Sequence, residues 1–202
     1  MRRLGHIPTP GGASSDVNAL PAELTREGKD PAAEDGEPEL APFDQLFLAE
    51  YGRVVAIANR VLADRAEAED VAQEVFIDFH RRHRPDAPYA SAWLHRAAVH
   101  TALNRLRGRR RRQQRERAQA RDGDPTLLDP EQVVERQEDR RLLRAALARL
   151  PTRAATVLVL RYSGLSYMEV GAALGVSASQ VGTRLRRAEQ ALRKEVHRAT
   201  SV

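Results

Sequence analysis

Cysteine is absent from this chain of 202 residues, which excludes a disulfide framework, a thiolate zinc site and a cysteine nucleophile. Aromatic residues are scarce, at 4% with a single tryptophan. The β-branched and aromatic runs that build strands are missing, so the composition favours helices of Leu, Ala and Val over a β sandwich. No apolar run approaches the roughly 18 residues of a membrane span, and no membrane insertion is expected. The opening "MRRLGHIPTPGG" carries two arginines without the apolar stretch that would make them an export signal, so a cytoplasmic protein is expected. Phosphate loops, serine elbows and paired-carboxylate clefts are equally missing, and neither a catalytic residue nor a cofactor is assigned. His80 and His83 are spaced for one helix face, with His95 and His100 farther on, but they do not amount to a complete metal-ligand set.

What the chain has is charge, in blocks. Residues 1–42 carry a net −4 and residues 43–84 a net −2, whereas residues 93–121 reach +9 with ten basic side chains against a single Glu. Residues 122–140 swing back to −5, and residues 141–202 rise to +8. Two basic blocks separated by an acidic connector suit a protein that meets a polyanion. The acidic stretch "DRAEAEDVAQEVFIDF" at residues 64–79 does not, and it needs another explanation.

The first 42 residues are rich in Pro, Gly, Ala and Glu and show no sustained apolar period. They cannot bury enough surface to offset chain entropy and are read as a disordered tail. From Phe43 the pattern changes. Phe43, Phe47, Tyr51, Val54 or Val55, Ala58 and Leu62 recur at the spacing of one helical face. Asp64 can cap a second helix, with Ala68, Val71, Ala72, Val75, Phe76 and Phe79 inward and Glu67, Asp70, Glu74 and Asp78 outward. Pro85 and Pro88 mark a loop. Trp93, Leu94, Ala97, Ala98, Thr101, Ala102 and Leu106 then give a third helix that runs into "RLRGRRRR". The tract from Arg107 to Arg112, interrupted by Gly108, can neutralise phosphates whatever the base sequence. Three helices make one small bundle.

"DGDPTLLDPEQ" has the turn chemistry of a linker, and helicity resumes near Val133. Leu142, Leu143, Ala146, Leu147 and Leu150 form a stripe closed by Pro151, and "TRAATVLVLRYSGL" is a helix ended by Gly164. Ser166 caps a short helix through Leu174, Gly175 supplies a turn, and Ser177 caps a long helix. That helix carries Val181, Leu185, Ala188 and Leu192 inward and Arg184, Arg186, Arg187 and Arg193 outward. This is a helix-turn-helix, in which small Gly171 lets the two helices approach and Val170, Leu174, Val176 and Val181 share a core. A generic helical hairpin has the same spacing; the basic outer face favours DNA binding.

The two halves in this order resemble an extracytoplasmic-function sigma factor of bacterial RNA polymerase, over about residues 43–198. The front half matches that family's D-x-x-x-A-E-D-x-x-Q-E-x-F pattern with Asp64, Ala68, Glu69, Asp70, Gln73, Glu74 and Phe76. "AWLHRAAVHTALNRLRGRRRR" is similar to the helix that opens and reads the minus-ten element, and the last third looks like region four, which reads the minus-thirty-five element. The resemblance implies a polymerase contact on the beta-prime clamp helices at Asp70, Gln73 and Glu74, with the beta subunit as a further partner. It implies minus-ten DNA contacts at Trp93, Arg96, His100, Asn104 and Arg107. At the minus-thirty-five element it implies Gln180, Gly182, Thr183, Arg184, Arg186 and Arg187. His100 stands where the family often has Asn, Asn104 where it often has Asp, and Gly182 where many relatives carry Lys or Arg. For Trp93, a core anchor between the first and third helices is the competing role.

The acidic helix thus gains a purpose, because carboxylates on a rigid face pair with a partner's arginines and repel DNA. The expected protein is all-α, with a disordered extension over 1–42, region two over 43–112, a flexible acidic linker over 113–140 and a region-four helix-turn-helix over 141–202. It would bind core polymerase and direct promoter recognition, DNA melting and initiation. Promoter DNA is the second partner, and an anti-sigma factor is a third that the resemblance suggests without any residue identifying it. The alternative is a helix-turn-helix regulator that does not depend on polymerase, which leaves the front bundle without a purpose.

Overall fold

Among the residues that the computed structural model describes, 40–119 and 134–200, seven helices form and no strand does. Residues 1–39 of the expected tail and the middle of the expected linker lie outside the described residues. Helix α1, Pro42–Leu62, opens with a proline in its first turn, where the missing N–H would have had no partner in any case. It stops at Ala63, which turns left-handed (φ 52°) and donates its N–H to the Asn59 carbonyl at 2.7 Å. Helix α2, Arg65–Arg82, starts where Asp64 caps it, accepting the Glu67 N–H on Oδ1 at 3.1 Å. The cap sets the helix's rotation, and Ala68, Val71, Ala72, Val75, Phe76 and Phe79 all become buried.

Helix α3, Ala90–Gln119, is 30 residues long, about 45 Å at 1.5 Å per residue. Its first half is the third member of the front bundle and buries Leu94, Ala98, Val99, Ala102 and Leu103. Its second half is rich in Arg, Gln and Ala, which favour helix, and Arg105, Arg107, Arg109 and Arg110 tie it to its neighbours, so the chain is helical through 119, past the expected start of the linker at 113. The linker's far end is helical as well, since α4 begins at Val134. One buried polar pair stitches the bundle together. His95 on α3 is 2% exposed, and its Nε2 lies 2.7 Å from Glu50 Oε2 on α1. Burial by itself would raise the Glu50 carboxyl, but hydrogen bonds to His95 and Ser91 and the charges of His95 and Arg53 hold it below the ordinary Glu range.

The back half comprises α4 (Val134–Arg149), α5 (Thr152–Tyr162), α6 (Tyr167–Leu174) and α7 (Ala178–Thr200). Ala146, Leu147 and Leu150 are buried as the stripe predicts, but Leu143 is 49% exposed, because the packed face of α4 is narrower than the stripe. The two halves touch. Buried residues from both belong to one continuous apolar cluster, α3 packs on α5 and α6, and Arg53 on α1 pairs with Glu169 on α6 at 2.8 Å. No described helix is long and apolar enough to cross a membrane.

Candidate nucleic-acid interface

The acidic stretch is displayed by α2. Once the apolar residues are turned inward, Asp70, Gln73 and Glu74 are left on the outer face, all exposed; the side chains of Asp70 and Glu74 are 65% and 57% accessible. Ile77, also exposed, extends the face by one turn. The carboxylates have partners within the chain. Arg105 on α3 places Nη2 2.9 Å from Glu74 Oε2 and Nη1 3.8 Å from Asp70 Oδ2. One turn on, Arg109 pairs with Glu67 and lies 3.7 Å from Asp64 Oδ2. A cleft of about 510 Å³ runs along this seam, with Glu67 and Glu74 on one wall and Asn104, Arg105, Arg109 and Arg112 on the other. Arg105 carries no local signal, and Arg109 stands in the tract expected to meet phosphates, because their partners lie on another helix; the Arg105–Glu74 pair spans 31 positions, and no local pattern announces it.

Along α3, Arg96, His100, Asn104 and Arg107 recur at helical spacing, and Asn104 is the most open of the four. His100 is half-buried. Burial first, then the charges of Arg96 and Arg107, hold its imidazole below the usual histidine range, so at neutral pH it is an uncharged donor and acceptor between two guanidiniums. Trp93 is 4% exposed, with its ring centred 5.5 Å from Phe79 and 4.6 Å from His83. It is thus buried, and it packs α3 against the end of α2. The exposed aromatic here is Tyr89 in the preceding loop, whose hydroxyl is 3.4 Å from His83 Nδ1. Arg107 points into the back half of the molecule, donating to the carbonyls of Ala148 and Leu150 and to Thr152 Oγ1 at 2.8–3.1 Å. Arg110 donates to the Ala145 carbonyl at 3.0 Å. Of the basic tract, Arg111 and Arg112 are exposed.

The helix-turn-helix is α6, the turn at Gly175 and α7. Ser166 closes a full capping box: its hydroxyl accepts the Glu169 N–H at 3.3 Å while its own N–H donates to Glu169 Oε2 at 2.7 Å. Those hydrogen bonds, with Arg53 beside them, hold the Glu169 carboxyl below its ordinary range. Gly175 adopts φ +68°, a conformation that favours glycine, and lets the chain reverse. A Cβ on Gly171 would stand 2.8 Å from the Val176 carbonyl oxygen and 3.3 Å from the Ala178 nitrogen, so only glycine allows the turn to close this tightly. Ser177 stands just before α7, but its hydroxyl lies 3.0 Å from that of Ser179, and the Gln180 N–H goes to the Ser177 carbonyl.

On α7, Val181 and Ala188 are buried and Leu185 and Leu192 partly so, which turns Gln180, Thr183, Arg184, Arg186 and Arg187 to the surface. Gly182 is half-covered by Tyr167. Glu189, the acidic residue nearest this surface in sequence, is taken up by the Tyr162 hydroxyl at 2.9 Å. A rigid helix with five exposed polar or basic side chains over about two turns can enter a major groove. For metals the result is simpler: among the described residues no three His, Asp or Glu are grouped to hold an ion. His80 packs against Phe43, His83 stacks on Phe79 and packs against Trp93, and His95 is paired with Glu50.

Two family descriptions match the chain, Sigma-70 region 2 over residues 46–112 and Sigma-70, region 4 over residues 140–192. The chain is similar to RNA polymerase sigma-H factor of Pseudomonas aeruginosa, at 34% identity over 164 residues that cover 75% of this chain and 84% of that protein. It is 38% identical over 160 residues to ECF RNA polymerase sigma factor SigE of Mycolicibacterium smegmatis, covering 75% of this chain and 60% of that protein. SigW of Bacillus subtilis is 28% identical over 162 residues, 71% of this chain and 83% of that one. Among solved structures, CnrH in complex with the cytosolic domain of CnrY aligns with a TM-score of 0.46 at 22% identity, over 75% of this chain and 85% of that chain. RpoE with the anti-sigma factor NepR from Bartonella quintana aligns with a TM-score of 0.42 at 20% identity, over 77% and 96%.

Proposed function

We propose a division of labour for a chain that belongs to the extracytoplasmic-function sigma factors, and that accordingly binds core RNA polymerase and directs promoter recognition and transcription initiation. The outer face of α2 docks on polymerase through Asp70, Gln73 and Glu74, at the beta-prime clamp helices. Arg96, His100 and Asn104 on α3 meet the minus-ten element, with Arg107 joining them once it is released from α4, and Trp93 fixes the angle at which α3 is presented. Gln180, Thr183, Arg184, Arg186 and Arg187 on α7 read the minus-thirty-five element, with Gly182 admitting close approach. The beta subunit is a further contact, and an anti-sigma factor would act by covering these faces. The protein has no catalytic activity of its own, works in the cytoplasm and lends DNA recognition to polymerase.

A single observation supports this most strongly: one chain carries, in order, an exposed carboxylate face on α2, a basic continuation of α3 and a basic recognition helix α7. Carboxylates suit a cationic protein surface and repel phosphate, while the two arginine-bearing helices suit DNA. The test is transcription by purified core polymerase on genomic fragments with and without the protein, followed by mapping of start sites. New, protein-dependent starts that share two spaced elements are expected. Binding to core polymerase without DNA separates this assignment from a free-standing helix-turn-helix regulator, which need not bind it.

A further inference from the structure

Two of the three side chains on the docking face of α2 are already engaged within the chain, and by one residue. Arg105 on α3 places Nη2 2.9 Å from Glu74 Oε2 and Nη1 3.8 Å from Asp70 Oδ2. Among the described residues it has no other hydrogen-bond or ion-pair partner. Its side chain is 33% accessible, the least open of the three, so both carboxylates stay within reach of a second cation from outside. Arg109, one turn along the same face of α3, provides a contrast. Its acceptors are Glu67 and Asp64 at the start of α2, and neither belongs to the docking face. Glu67 is partly enclosed, with Oε2 buried. The Arg109 pair thus holds α2 and α3 together at a point that docking leaves alone.

A cationic partner that approaches Asp70 and Glu74 meets two negative charges reduced by the one that Arg105 brings. Two basic groups on one carboxylate repel each other at salt-bridge distance, and the repulsion grows as the contact loses water. Arg105 has a place to move to. The cleft of about 510 Å³ beside it is lined by Thr101 and Asn104, whose side-chain oxygens can accept from a guanidinium. We propose that Arg105 is an internal competitor for polymerase: it holds Asp70 and Glu74 in the free chain, and a basic side chain of polymerase displaces it from them on docking. This rests on α2 being the docking face. Arg105 therefore keeps the affinity for polymerase below what the carboxylates alone would give, and its removal strengthens a contact in which it takes no part.

The experiment titrates the full chain, labelled at its N-terminus, with purified core polymerase in the absence of DNA, and follows the fold of each variant by circular dichroism. Arg105→Gln should tighten binding by about threefold or more, the scale of one exposed ion pair that no longer has to be broken. Arg105→Lys keeps a cation at the site and should stay within about twofold of wild type. Arg109→Gln removes the same charge one turn away and should shift the affinity by less than about twofold at physiological salt. In a chain that carries Asp70→Asn with Glu74→Gln, Arg105→Gln should add nothing, because no carboxylate is left to compete for. Unchanged or weaker binding by Arg105→Gln overturns the competition, and weaker binding would make Arg105 a residue that orients the carboxylates. Equal tightening by Arg105→Gln and Arg109→Gln overturns it as well, in favour of net charge alone. If Asp70→Asn with Glu74→Gln weakens binding and Arg105→Gln does not tighten it, this proposal fails alone; if the two carboxylates can be removed without loss, the docking face itself is misassigned.

Discussion

Arg107, on the third helix of the front bundle, donates from Nη2 to the Leu150 carbonyl at the end of α4, at 2.8 Å. Its other nitrogens reach the Ala148 carbonyl and the Thr152 hydroxyl, so one guanidinium closes the C-terminal end of α4 and the start of α5 together. A cation at a helix C-terminus is favourable on both hydrogen-bonding and dipole grounds. Arg107 is also a residue assigned to minus-ten DNA, and it cannot serve both partners in one geometry.

Promoter binding through Arg107 therefore requires the two halves to part, and a tether between them should prevent it. Because the chain has no cysteine of its own, Arg53→Cys with Glu169→Cys supplies two unique thiols at the Arg53–Glu169 contact. Joined by a cleavable bis-maleimide, the protein should lose at least about tenfold in promoter-directed transcription, equivalent to about 1.4 kcal/mol, and regain it when the tether is cut. Full activity of the tethered protein would mean that the closed arrangement is compatible with promoter binding.

On α2, charge can be removed without introducing repulsion. Lysines at 70 and 74 would face Arg105 as well as polymerase, so the pair Asp70→Asn with Glu74→Gln is the cleaner test. Affinity for core polymerase should fall by about tenfold or more in a pull-down or fluorescence titration. The circular dichroism should be unchanged, because the core face of Val71, Val75 and Phe79 is intact and exposed ion pairs contribute about 0–1 kcal/mol. Unaltered polymerase binding would make these carboxylates partners of Arg105 and nothing more.

Gly171 is where the helix-turn-helix tolerates least. Gly171→Ala places a methyl group 2.8 Å from the Val176 carbonyl oxygen, which is backbone and cannot swing away. Destabilisation of about 1–3 kcal/mol is expected in urea unfolding. Gly182→Ala, which meets the Tyr167 ring at 3.6 Å, should be neutral or gain up to about 1 kcal/mol from helix propensity. Equal effects at the two glycines would contradict the packing described.

Acid stability should report on Glu50. Its folded carboxyl lies below the ordinary value, so its contribution is fully present above the unfolded pKa of about 4.3 and is lost as pH falls through the lower folded value. Glu50→Gln cannot titrate. Its stability should fall less steeply than that of the wild type when unfolding is followed from neutral pH to about pH 3, and parallel acid limbs would remove Glu50 from the acid response.

How much of this the sequence determined depends on the range of the interactions involved. Asp64 and Ser166 as caps, the α2 core face, the left-handed turn at Gly175 and the close approach at Gly171 all depend on residues within a few positions of one another, and so their signals are written locally. The two-part order of a front bundle and a helix-turn-helix was legible for the same reason. Leu143 lies in the periodic stripe yet is 49% exposed, because periodicity gives a face but not its width, which the packing neighbours of α4 set. Only the tertiary structure decided where Trp93 packs, that Arg105 and Arg109 neutralise the carboxylates of α2, that Arg107 closes α4, and that Tyr167 packs beside Gly182. Each of these joins residues far apart in the chain or on different helices. A long flexible side chain such as arginine fits many partners equally well by composition, and the partner it takes is fixed by the distances and burial that exist once the helices have packed.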